Sequence, residues 1–109
     1  MNPWLLLAAS IASEVVGTTS LKLADGFTRP VFGAMVFVFY GLSFYMFSIA
    51  VRHLELGIAY AVWAGMGTVL IAIIGIAFFR ESTDLIKLVS MIAIVGGVIG
   101  LNLASARLA

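Results

Sequence analysis

The chain contains no cysteine, which excludes disulfides, thiolate metal sites and cysteine nucleophiles. Charge is scarce. Asp, Glu, Lys and Arg make up 10% of the 109 residues, against about a quarter of a soluble domain. The net charge is +1 and no basic stripe is present, so nucleic acid is excluded as a partner. The one histidine, His53, sits beside Arg52 in a polar stretch and reads as a solvated or headgroup residue. No metal-ligand set, phosphate loop or nucleophile with its base is present, so no metal, no cofactor and no enzymatic activity are expected. The first apolar segment lacks a basic leader, and its hydrophobicity runs on through its small residues; it reads as a retained helix, not a cleaved signal.

Apolar residues dominate instead: 63% of the chain, with a mean hydropathy of +1.20. That composition defines a membrane protein. The charges fall in clusters: Lys22, Asp25 and Arg29; Arg52, His53 and Glu55; Arg80, Glu81, Asp84 and Lys87; and Arg107 near the end. Between them lie four apolar runs, 3–21, 31–51, 56–79 and 85–104. Each matches the roughly 20 residues a helix needs to cross a bilayer core of about 30 Å. Barrel strands are about half that length, so the expected fold is an all-α membrane protein with four transmembrane helices in one domain over 1–109.

Asp25-Gly26 marks a turn, Pro30 suits the first turn of the second helix, and Ser82-Thr83-Asp84 offers an N-cap for the fourth. Trp4 suits an interface. Four helices make a thin bundle that hardly encloses a polar cavity alone, so a homo-oligomer, most simply a dimer, is expected. Loops 1 and 3 hold Lys22, Arg29, Arg80 and Lys87, against Arg52, Arg107 and the N-terminal amine on the other side. The imbalance is small, compatible with a weak orientation bias or with insertion both ways.

Glu14 is the one ionisable residue deep inside a span. A carboxylate at that depth costs about 2.5–3.5 kcal/mol on insertion scales. No span interior holds a Lys, Arg or His to pair with it. A low-dielectric setting favours the neutral carboxyl, so Glu14 can load and release a proton and, when ionised, bind a cation. Ser10, Gly17 and Thr18 share its helical face. That face suits a cavity wall, a tight helix contact, or both.

On the second span Phe37, Tyr40, Phe44 and Phe47 recur at helical spacing with Ser43 beside them. Such a stripe more often packs or meets lipid, but near an anionic partner it attracts organic cations. On the third, Tyr60 can donate a hydrogen bond to Glu14 and Trp63 can stack on a flat or quaternary substrate. Gly65 and Gly67 weaken that helix and make a candidate hinge. On the fourth, Gly96-x-x-x-Gly100, with Gly97 between, fits a close helix contact between subunits.

The whole chain resembles the small multidrug resistance family of bacterial proton-coupled exporters. The resemblance rests on Glu14-Val-Val-Gly17-Thr18-Thr19 with Leu21-Lys22, on Gly26-Phe27-Thr28-Arg29, and on Gly57-Ile-Ala-Tyr60-Ala-Val-Trp63-Ala-Gly65-Met-Gly67. It implies an antiparallel, dual-topology homodimer in the bacterial inner membrane, with paired carboxyls that bind protons or a hydrophobic cation in turn. Carried over, that role falls on Glu14, and the substrate-site tyrosine and tryptophan on Tyr60 and Trp63. Tyr40, Ser43, Phe44, Gly17 and Thr18 match other cavity positions, Gly65 and Gly67 the third-helix kink, and Gly97 a dimer contact. Ser90 stands where relatives often have glycine, and Ala64 where many have serine.

Gly17-Thr18 resembles the branch that exports quaternary ammonium and polyaromatic cations. The guanidinium branch typically has tryptophan where this chain has Val16. Half of a paired, heteromeric exporter, a non-transporting membrane subunit and an uncoupled cation channel stay open as alternatives.

Overall fold

The computed structural model describes residues 2–108. Its four helices are α1 (Pro3–Leu23), α2 (Pro30–Ala50), α3 (Leu56–Phe78) and α4 (Leu85–Leu108). Each is long and apolar enough to cross a membrane. The helix ends follow local chemistry. Pro3 and Pro30 open α1 and α2, where a missing N–H costs nothing. The Asn2 side chain caps α1 by accepting the Trp4 N–H at 2.8 Å. Asp84 caps α4, its Oδ1 accepting the Lys87 N–H at 2.7 Å. α4 runs on past residue 104 because Ala104, Ala106 and Arg107 are good helix formers and Arg107 suits a C-terminal turn.

The turn after α1 places Asp25, Gly26 and Phe27 in the left-handed region, at φ 50°, 66° and 64°. A bulky residue there is costly and needs compensation. Phe27 obtains it by folding over α2: its ring lies where a Cβ on Gly33 would meet it at 3.2 Å. The same ring packs against Phe37 with centroids 6.0 Å apart.

The chain divides between His53 and Leu54 into two compact units. In the first, α1 buries Leu7, Ser10, Ile11, Val15, Gly17 and Ser20, and α2 buries Gly33, Val36, Ser43 and Ala50. These residues recur at three- and four-residue steps, so each helix presents one stripe to the other. In the second, α3 buries Ile58, Ala59, Val62, Gly67, Val69 and Gly75, while no described residue of α4 is buried. α4 approaches α3 at Gly65, where a Cβ would sit 3.2 Å from methyls of both Ile94 and Val98. The connection between them folds back on α3, with Phe79 and Glu81 N–H groups both bonded to the Gly75 carbonyl at 3.0 and 3.1 Å. Lys87 joins it, donating to the Ser82 carbonyl at 2.9 Å and lying 3.9 Å from the Glu81 carboxylate.

Three hydroxyls inside the spans are bonded to the backbone of their own helices. Thr19 and Ser20 donate to the Val15 and Val16 carbonyls at 2.8 Å, and Thr68 to Ala64 at 2.7 Å. Among the described residues no buried side-chain nitrogen or oxygen lacks a partner.

Candidate functional site

Glu14 lies midway along α1 and is half-buried. Thr18, one turn further on, donates its hydroxyl to Glu14 Oε1 at 2.7 Å. The same Thr18 oxygen lies 2.7 Å from the Tyr40 hydroxyl of α2. A threonine hydroxyl has one hydrogen. With that hydrogen spent on Glu14, the Tyr40 hydroxyl is the donor in the second bond. The result is a chain of two hydroxyls aimed at one carboxylate oxygen.

Gly17 makes the chain possible. A Cβ at this position would lie 2.7 and 2.8 Å from Cδ1 and Cε1 of the Tyr40 ring. Only a residue without a side chain lets that ring lie flat on α1 with its hydroxyl over Thr18. Glu14, Gly17, Thr18 and Tyr40, all expected at a site, are therefore one cluster.

Ser10 and Ser43, also expected to bind proton or substrate, are enclosed between α1 and α2, each with 0% exposure. Ser10 Oγ donates to the Ser43 carbonyl at 2.8 Å, and Ser43 Oγ donates to the Ser10 carbonyl at 2.7 Å. Both hydroxyl hydrogens are spent on backbone, so the 3.0 Å separation of the two oxygens adds no third bond. In this arrangement the pair clasps two helices. The physical reason is position: both serines fall on the buried stripes of their helices.

The aromatic stripe of α2 splits. Tyr40 and Phe47 are half-buried, whereas Phe37 and Phe44 are exposed on this unit. In the second unit Tyr60 and Trp63 stack with ring centroids 5.9 Å apart and planes tilted by 36°. Tyr60 is exposed and Trp63 half-buried there. α3 runs unbroken through Gly65 and Gly67. Gly96, Gly97 and Gly100 face outward, and a Cβ on any of them would meet nothing within 4 Å. Beside Gly96 runs an apolar groove of about 490 Å³, walled by Val69, Leu88, Met91 and Val95 among others.

Sequence reasoning placed Thr18 on the face of Glu14 without making it the direct partner. The spacing of 14 and 18 is one turn, a signal that was there to use. The Tyr40 hydroxyl as second link had no such signal, because it depends on how α2 packs against α1.

An all-helical chain with four membrane-spanning helices, one of them carrying a carboxyl bonded by a hydroxyl, is a multi-pass membrane protein. The family described as Small Multidrug Resistance protein matches residues 2–94, and the chain belongs to that family. It is 47% identical to the quaternary ammonium compound-resistance protein QacF of Klebsiella aerogenes over 105 residues, covering 96% of each chain. It is 38% identical to the multidrug transporter EmrE of Escherichia coli K12 over 105 residues, again 96% of each. An uncharacterised membrane protein of Bacillus subtilis, YvaE, is 40% identical over 100 residues, 92% of this chain and 84% of that one.

Proposed function

We propose that the chain is a proton-coupled antiporter of the bacterial inner membrane that exports lipophilic, aromatic or quaternary ammonium cations. It works as an antiparallel homodimer inserted in both orientations, with two Glu14 carboxyls facing one cavity. Protons and the cation compete for these carboxyls because both neutralise the same negative charge. Where states carrying both are scarce, proton entry drives cation exit. Alternating access follows when the dimer switches which side is open, the two orientations supplying the inverted symmetry other transporters obtain from internal repeats. Tyr60 and Trp63 stack on the substrate, Gly65 and Gly67 serve as hinge, and Gly96, Gly97 and Gly100 form the subunit contact.

The observation that carries this reading is the Glu14 carboxyl in the middle of a span, bonded by the Thr18 hydroxyl, itself backed by Tyr40, and not by a base. A structural carboxylate in lipid would demand a cationic partner, and no span interior carries one. The names of the relatives, quaternary ammonium resistance and multidrug transport, support the substrate class.

The test is binding of tetraphenylphosphonium to the purified full chain in lipid across pH, alongside Glu14→Gln. Binding that strengthens as pH rises and disappears in the variant is expected, since deprotonation frees the carboxylate for the cation. Proton-driven export retained by Glu14→Gln would overturn the reading. Absence of binding at every pH would redirect the substrate to guanidinium compounds, or the working unit to a heteromeric pair.

A further inference from the structure

We propose that Thr18 and Tyr40 form a hydroxyl relay with two polarities, which carries the protonation state of Glu14 from α1 to the face of α2. The inference rests on Glu14 being the proton and cation site.

With Glu14 ionised, the hydrogens run one way: Tyr40 donates to Thr18, and Thr18 donates to Glu14 Oε1, each over 2.7 Å. When Oε1 takes up a proton it becomes a donor, and the Thr18 oxygen at 2.7 Å is its acceptor. Thr18 then turns its own hydrogen to the Tyr40 oxygen, and Tyr40 turns its hydrogen outward. No O–H bond of threonine or tyrosine breaks in this change; the two hydroxyls rotate, and the one added proton stays on Glu14. The Tyr40 oxygen thus presents a lone pair to its surroundings in the ionised state and a hydrogen in the neutral state.

The Tyr40 ring lies against Gly17, where a Cβ would meet it, and this close approach brings its hydroxyl to 2.7 Å from the Thr18 oxygen. Among the described residues of this unit, Asp25, Arg29, Arg52 and His53 lie outside α1 and α2. Besides Glu14, α1 carries only Lys22, about 12 Å further along the axis. α2 carries only Tyr40 and Tyr45 between Pro30 and Ala50, and Tyr45 is exposed. Thr18 and Tyr40 act here as positioning residues that couple proton loading on α1 to the hydrogen bonding offered by α2.

Two readouts on the full-length protein in lipid test this. The first is the pH midpoint of tetraphenylphosphonium binding. Hydrogen bonds to a charged acceptor are about twice as strong as neutral ones. Removing the Thr18 hydroxyl therefore harms ionised Glu14 more than neutral Glu14. Thr18→Val is expected to raise the midpoint by about one pH unit. Tyr40→Phe raises it by less, and Thr18→Ser keeps it. The second is the phenol infrared band of Tyr40, isolated as wild type minus Tyr40→Phe. It is expected to change from donor to acceptor type with the midpoint of cation binding, and to be insensitive to pH in Thr18→Val and in Glu14→Gln. A Thr18→Val midpoint equal to the wild type, with Glu14→Gln still abolishing binding, overturns the relay and leaves the antiport reading standing. A variant too unstable to bind leaves the infrared titration of the wild type to decide, and a Tyr40 band that ignores pH overturns the relay. Binding that ignores pH in the wild type defeats the antiport reading itself.

Discussion

The two helical hairpins are built on different principles. α1 and α2 are joined by polar ties: the Ser10–Ser43 clasp, and the Thr18–Tyr40 bond beside Glu14. α3 and α4 are joined by apolar contact, with Ile94 and Val98 of α4 against Gly65 and no buried residue among those described on α4. Lipid is as apolar as leucine, so apolar contact alone gives weak preference for one partner over another, whereas hydrogen bonds in lipid are directional. The first hairpin therefore has a defined register around its carboxyl. Along the second, every α4 side chain whose burial is described is exposed or half-buried.

Substituting glycines tests this contrast most strongly. Gly17→Ala places a methyl against the Tyr40 ring, which must shift. A cost of about 1–3 kcal/mol in the stability of the protein is expected, together with weakened cation binding. Gly65→Ala meets two methyls at 3.2 Å, and a few tenths of an ångström of give accommodates it, at a cost below about 1 kcal/mol. Gly41→Ala meets nothing within 4 Å and serves as reference. Thermal unfolding in one detergent, followed by helical circular dichroism, ranks the three; equal losses at Gly17 and Gly65 would erase the distinction between the hairpins.

Next in size is the serine clasp. Ser10→Ala and Ser43→Ala should each cost about 1 kcal/mol, in the range of hydrogen bonds between membrane helices. Each variant keeps the reciprocal bond, because the surviving hydroxyl still donates to the other residue's backbone carbonyl. The double variant should therefore cost nearly the sum, with a coupling below about 0.5 kcal/mol in a double-mutant cycle. A large coupling would mean that the two bonds form as one unit.

The smallest effect belongs to the second hairpin. The Glu81–Lys87 pair is 3.9 Å apart with Glu81 exposed, so screening keeps its contribution low. Glu81→Gln should change stability by less than about 1 kcal/mol, less still in high salt. A larger loss would show that the α3–α4 connection depends on charge and not on apolar contact.

Much of this architecture was legible beforehand. Clustered charges mark the loops because a charge inside lipid is costly, and the four helices lie where the apolar runs predicted. Pro30 and Asp84 took the positions their chemistry suits. Glu14 stood out for the same reason the loops did. The role of Ser10 and Ser43 was not legible, because helical periodicity says which residues share a face but not what the face meets. Ser10 sits among small residues and Ser43 beside an aromatic stripe, settings compatible alike with a cavity and with a tight contact.

The sequence by itself determined the class of protein, its four spans and the depth of its one embedded carboxyl, since the transfer of apolar and charged groups into lipid depends on composition along the chain. The one-turn spacing of Glu14 and Thr18 also put that hydroxyl within reach of the carboxyl; only the tertiary structure decided what lies beyond it. Gly17 became the bed of the Tyr40 ring, and Thr18 the link between them, because contacts between helices depend on register and rotation, which no local pattern encodes.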